Sequence, residues 1–187
     1  MFLAMKRSFY LLLGSAMVLL LSQSCTEQQD FGQFEDLSIT PTLATGLFYM
    51  ESDEGTINDA GTFGTFYAQT VNFDAFNEEF VADHLIEGTI TYEIVNTTSK
   101  QLRITIEYLD EAGNTLDGEL FNIDADPSGL MTWEVAYGPG GKSLDILANT
   151  SSLRITATNL SDATSVSSQP GPKVKFKSAA EFLFRLK

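Results

Sequence analysis

Apolar and polar residues alternate along much of the chain, the period of a β-strand that buries one face and wets the other. Ile90, Tyr92 and Ile94 alternate with Thr89, Thr91 and Glu93, and Leu102, Ile104, Ile106 and Tyr108 alternate with Arg103, Thr105 and Glu107. The link Asn96-Thr97-Thr98-Ser99 reads as a polar turn, so these two stretches are expected to pair as an antiparallel hairpin. A Gly-containing loop, Asp110-Glu111-Ala112-Gly113-Asn114, leads into a further strand over residues 116–123. Met131, Trp133, Val135 and Tyr137 mark the next strand, closed by Gly138-Pro139-Gly140-Gly141, and Leu153, Ile155 and Ala157 mark another. Residues 43–50 and 63–73 read as earlier strands. Phe76, Phe80, Val81, His84 and Leu85 recur instead at helical spacing and predict a short helix near residues 75–84.

The clearest pattern is the last. From Val174 to Leu186 every even position is apolar or small, opposite Lys173, Lys175, Lys177, Glu181 and Arg185. Such a strand is expected to pair within its own domain, beside acid-bearing segments of the first half that neutralise its row of lysines. Seven to nine strands, hairpin links and no βαβ rhythm predict an all-β fold, a two-sheet antiparallel β-sandwich, immunoglobulin-like or related, with one short helical insert. NTTSKQLRITI at 96–106 and NTSSLRITA at 149–157 are similar and read as one turn chemistry used twice.

The first residues follow a different logic. Lys6 and Arg7 precede the apolar run SFYLLLGSAMVLLL, which has the length of a secretory signal core and is shorter than the ~20 residues of a membrane-spanning helix. It ends in LSQSC, with the single cysteine of the chain at Cys25. Cys25 resembles the lipidated cysteine of a bacterial lipoprotein, although Gln23 and Ser22 depart from the usual pattern just before it. The expected organisation is a signal peptide over 1–25, a polar, acidic tether over 26–41 and a single sandwich domain over 42–187. Acyl chains (palmitate-type) on Cys25 would tie the protein to the cell envelope, with the outer membrane as the expected site; stable anchoring takes more than one chain. With one cysteine no internal disulfide is possible, and the 162 residues after it are enough for one self-sufficient core.

Along the chain, LFY at 47–49, VNFDAFNEEF at 71–80, GTITYEIVNTTSKQLRITIEYLDEAGNTLD at 88–117, NTSSLRITATNL at 149–160 and the final strand resemble uncharacterised exported lipoproteins of Bacteroidota. The resemblance implies an address and a β-sandwich. It implies no chemistry.

Charge narrows the partners. The chain carries a net charge of −14, and between Thr26 and Ser99 stand 14 carboxylates without one Lys or Arg. Nucleic acid and bare anionic lipid are therefore poor partners, and the membrane is reached through the lipid. The expected partner is another envelope protein, with a cell-surface glycan as the alternative. His84 is the only histidine, no Gly-x-Ser-x-Gly elbow or Walker loop occurs, and His84 with Cys25 cannot make a zinc site. Neither an enzyme nor a cofactor is expected. Asp124, Asp126, Ser128 and Gly129 follow the start of an EF-hand-type loop and are weak calcium candidates, because Val135 stands where the bidentate Glu is needed. Glu51, Asp53, Glu54 and Asp59 form a second acidic cluster. Phe63, Phe66, Tyr67, Phe73, Phe76 and Phe80 could stack sugars only if exposed and coplanar; as core residues they would be ordinary.

Overall fold

The computed structural model describes residues 40–73, 83–126 and 129–186. Among the described residues alternation produces eight strands: β1 (Thr42–Asp53), β2 (Thr65–Asn72), β3 (Leu85–Asn96), β4 (Leu102–Leu109), β5 (Thr115–Ile123), β6 (Met131–Tyr137), β7 (Ser152–Asn159) and β8 (Lys173–Phe184). They form two four-stranded antiparallel sheets, ordered β1-β8-β3-β6 in sheet 1 and β2-β7-β4-β5 in sheet 2. The fold is the expected all-β sandwich. Its strand order is that of an eight-stranded jelly roll rather than an immunoglobulin domain.

One pairing differs from expectation. β3 and β4 do not form a hairpin: β3 pairs with β6 and β8, and β4 pairs with β5 and β7 in the other sheet. Residues 97–101 cross between the sheets, a gap of ~10 Å that five residues span easily. Alternation fixes which face of a strand is buried, and both strands bury that face in the same core from opposite sides. The β4–β5 hairpin over Asp110–Asn114 is as expected, with Gly113 at φ 81° and the Asn114 amide donating to Asp110 Oδ1 at 2.8 Å. The two similar LRIT strands, β4 and β7, lie side by side with Thr105 opposite Thr156. Their leading asparagines differ, however: Asn96 ends a strand, whereas Asn149 caps a helix.

Two short helices lie wholly among the described residues and escape the alternation, α1 (Glu54–Asp59) and α2 (Leu144–Ala148). Asp53 caps α1 by accepting the Thr56 amide at 2.8 Å, Ser143 caps α2 by accepting the Asp145 amide at 3.2 Å, and each helix drives one residue, Ile57 or Leu147, into the core. The helix expected near residues 75–84 lies outside the described residues apart from Asp83 and His84, which are helical.

β8 meets the expectation for the C-terminal pattern. Val174, Phe176, Ser178, Ala180, Phe182 and Phe184 are buried; Leu186, past the strand, is exposed. Its lysines find carboxylates on both neighbours: Lys173 reaches Glu51 of β1 at 2.6 Å and Lys177 reaches Glu93 of β3 at 2.6 Å. Phe176 sits at the centre, its ring 5.0 Å from Phe48, 5.8 Å from Phe121 and 6.0 Å from Tyr92. Phe176→Ala is expected to cost about 3–5 kcal/mol, read as a lowered urea midpoint. Removal of residues 173–187 takes the middle out of sheet 1 and is expected to abolish the cooperative, monomeric transition.

Candidate functional site

Strand directions place four connections at one end of the sandwich: residues 54–64, 97–101, 124–130 and 160–172. The chain enters at the other end, where the Phe184 amide donates to the Pro41 carbonyl at 3.0 Å. The four loops are braced by buried polar groups that hydrogen-bond from one loop to another. Lys100 is 0% exposed, and its ammonium donates to Ser165 Oγ at 2.7 Å, the Asp162 carbonyl at 3.1 Å and Asp162 Oδ1 at 3.4 Å, which uses its three protons. Asn96, also fully buried, donates to the Lys100 and Asp124 carbonyls and accepts the amide and hydroxyl of Thr98. Asn159 repeats this at the end of β7, donating to the Gly61 and Asp162 carbonyls and accepting the Ser161 amide. The buried Glu54 carboxylate accepts the Ser99 amide at 2.5 Å and the Ser167 amide at 2.8 Å. Every one of the four loops is tied to another by at least one of these groups.

Electrostatics follow the geometry. Burial would push the Glu54 carboxyl up, but the Ser167 and Ser99 amides and the nearby Lys100 ammonium hold it below the usual carboxylate range. The Ser165 and Thr164 amides, with the Ser165 hydroxyl and Lys100, hold Asp162 well below that range. On this frame stand three large exposed apolar side chains, Phe63 (72% exposed), Val166 (74%) and Leu130 (57%). Phe63 has φ 58°, left-handed backbone that a bulky side chain adopts only under constraint. The constraint is local: the Gly64 amide donates to the Gly61 carbonyl, and a Cβ on Gly64 would lie 1.8 Å from the Ala60 oxygen. The four connections carry five carboxylates, Glu54, Asp59, Asp124, Asp126 and Asp162, against one cation, the buried Lys100.

A second polar cluster closes the open side between β5 and β6. Asp117 and Glu119 point inward from β5, and Lys142 bonds both, to Asp117 at 2.6 Å. Burial pushes the Lys142 ammonium down, but the two carboxylates more than reverse that. Beside them the Tyr92 and Tyr108 hydroxyls share a hydrogen bond at 2.5 Å, near the Tyr137 ring. Burial pushes all three phenols far above their usual range. The three tyrosines are at most 2% exposed, so no substrate reaches them, and inward charges on an edge strand discourage pairing with another chain.

Residues singled out from sequence are dispersed. Glu51 faces the lysines of β8, Asp53 caps α1, Glu54 is buried and Asp59 is exposed at the end of α1, so the acidic cluster does not gather. The Asp124 carboxylate accepts from Gln101 at 3.2 Å, the Asp126 amide donates to the Thr98 carbonyl, and Ser128 lies outside the described residues. Among the described residues no three His, Cys, Asp or Glu side chains could hold a metal ion. His84 is half-buried, its carbonyl accepting the Arg185 amide at 2.8 Å. Phe73 is core, Phe66 and Tyr67 are half-buried, and Phe76, Phe80 and Cys25 lie outside the described residues.

Tyr49, in the LFY run at 47–49 and not among the candidate stacking aromatics, is 58% exposed on β1. Its placement was readable, since Phe48 and Met50 on either side turn into the core. The Tyr49 hydroxyl donates to Glu51 at 2.5 Å, and that bond raises the phenol; the Glu51 carboxyl is held low, chiefly by its bond to Lys173.

No protein-family profile and no curated protein matches the chain. Solved structures similar to it include the VP2 subviral particle of infectious bursal disease virus, 14% identical over 80% of this chain and 33% of that one, with a TM-score of 0.35. Another is the Bacillus endospore appendage, described as one of a family of disulfide-linked pili, 8% identical over 77% and 89% of the two chains (TM-score 0.34). A third is the enzymatically active domain of bacteriophage CBA120 tailspike protein 4, 18% identical over 81% and 20% (TM-score 0.36). The chain spans about a third of the length of the capsid protein.

The depressed carboxyls make a test of the brace. A carboxyl lowered by folding contributes stability in full above its ordinary value, about pH 4, and loses it as the pH falls through the folded value. Glu54→Gln is therefore expected to cost about 1–3 kcal/mol at pH 7. The gap between variant and native protein should narrow in acid, measured by urea unfolding across pH 2–7.

Proposed function

We propose that the chain is a lipid-anchored, non-catalytic interaction module of the bacterial cell envelope, and that it binds another envelope protein through the loops at the end opposite its chain entry. The observation that supports this reading is the exposure of Phe63 and Val166 on loops that buried Lys100 and Asn159 hold in place, with Leu130 exposed on a third loop at the same end. Loops held by buried hydrogen bonds lose little entropy on docking, and exposed apolar side chains on them offer contact area to a partner. The carboxylates around the trio suit a partner with a cationic surface. Cys25 supplies the anchor at the outer membrane, and residues 26–41 link it to the end where β1 begins. A glycan-binding module is the second reading, favoured by the exposed ring of Tyr49.

Cys25→Ala is expected to abolish acyl labelling and to release the protein from membranes; retention with labelling intact would remove the anchor from the proposal. At the tip, Phe63→Gly should leave stability within about 1 kcal/mol, because relief of left-handed strain offsets the added freedom of the unfolded chain. It should nonetheless weaken partner association. A photo-crosslinker at residue 63 or 166 in intact cells is expected to trap an envelope protein that residue 70, on the outer face of sheet 2, does not. Equal trapping from all three positions would count against the tip.

A further inference from the structure

The outer face of sheet 1 contrasts with the rest of this acidic chain. Across β1, β8 and β3 the registers align Tyr49, Lys177 and Glu93 in one row and Gly46, Ala179 and Thr91 in the next. The second row is made of small side chains, and a Cβ on Gly46 would meet nothing within 4 Å. The row thus forms the floor of a depression of about 460 Å³, walled by Tyr49, Lys177 and Glu93. Three strands at ~4.8 Å spacing give the floor a length of ~10 Å, room for two sugar rings. On the other side of Tyr49 lies a second depression of about 450 Å³, lined by Glu51, Asp53, Thr56, Phe66, Tyr67 and Lys173.

Charge and shape point to one ligand chemistry. Around Tyr49, Lys173, Lys175 and Lys177 stand against Glu51, Asp53 and Glu93, with Glu134 and Glu181 beyond the floor row, so the site presents both signs of charge in a chain of net charge −14. A polyanion would meet the carboxylates and a polycation the lysines; a neutral ligand meets paired donors and acceptors. The Tyr49 ring is fixed by the bond to Glu51 and offers a flat apolar face. Phe66 and Tyr67 add half-buried aromatic edges in the second depression. A ligand with one apolar face and a rim of hydroxyls satisfies all three conditions.

We infer that the paired depressions on either side of Tyr49 form a binding site for a neutral hexose oligosaccharide, with Tyr49 as the stacking platform and the Lys177–Glu93 and Lys173–Glu51 pairs as hydroxyl partners. This site is separate from the loop tip and does not depend on the tip's protein partner.

The test is calorimetric titration of the detergent-extracted full-length protein with glucose-, mannose- and galactose-based oligosaccharides, with polygalacturonate as the anionic control. At least one neutral series is expected to bind with a Kd between about 10 μM and 1 mM. Tyr49→Ala should weaken that binding roughly tenfold or more, whereas Tyr49→Phe, which keeps the ring, should hold it within about threefold. Ala179→Gln, which raises the floor, should also weaken it, and Phe63→Gly at the tip should leave it unchanged. Absence of heat with every neutral series at about 10 mM, binding that survives Tyr49→Ala in a protein of unchanged melting temperature, or binding of polygalacturonate alone would each overturn the assignment.

Discussion

The sandwich depends on where β8 sits. It is the last strand of the chain and yet occupies the inside of sheet 1, with β1 on one side and β3 on the other. Its period of two therefore has to satisfy three neighbours at once: the core beneath, and a strand on each flank. A slip of one residue would carry Phe176, Phe182 and Phe184 to solvent and turn three lysines inward. That alternative is excluded twice over, by the aromatic cluster around Phe176 and by the outer carboxylates of Glu51 and Glu93. Among the described residues β1 pairs with β8, its register partners lying more than a hundred residues further along the chain, a highly non-local closure of the kind that folds slowly.

Crossing between sheets explains why one end of the molecule is rich in buried polar groups. Each connection there leaves a strand in one layer and enters the other, and its backbone amides and carbonyls pass the rim of the core where neither sheet can pair them. Asn96 and Asn159 answer this with side chains that mimic backbone on both sides, while Lys100 and Glu54 satisfy carbonyls and amides that no strand reaches. Burying a charge is costly unless its bonds are filled. Here they are filled largely by the loops themselves, so the charges order the loops rather than merely tolerate them. A tip of that kind can display Phe63 in a strained conformation without the loop relaxing.

Legibility from sequence divided along the same line. Strands were readable because alternation is a local property: the burial of Ile90, Ile104, Ile155 and Phe176 follows from their neighbours alone. Pairing was not, since β3 and β4 show the same alternation whether they lie side by side or face each other across the core. Helices α1 and α2, of six and five residues, are too short for a 3.6-residue period to emerge. Lys100 stands in a polar run with no local sign of burial, and its burial comes from Asp162 and Ser165, more than sixty residues away. Tyr49 is legible from the pattern, being the outward residue between two inward ones.

The distribution of charge ties the two surfaces together. A chain with 25 acidic and 11 basic residues cannot neutralise itself everywhere, so the position of its few lysines decides the character of each face. Three of them stand on the outer face of β8, where Glu51 and Glu93 claim them. Lys100 is buried beneath the tip and Lys142 closes the β5–β6 side. The loops are consequently left acidic, while the sheet around Tyr49 carries both signs of charge and its hydroxyl bonds the same Glu51 that anchors Lys173. One set of ion pairs, required to make β8 an inner strand, thereby leaves lysine–carboxylate pairs beside the exposed Tyr49 ring on the sheet and acidic loops at its end.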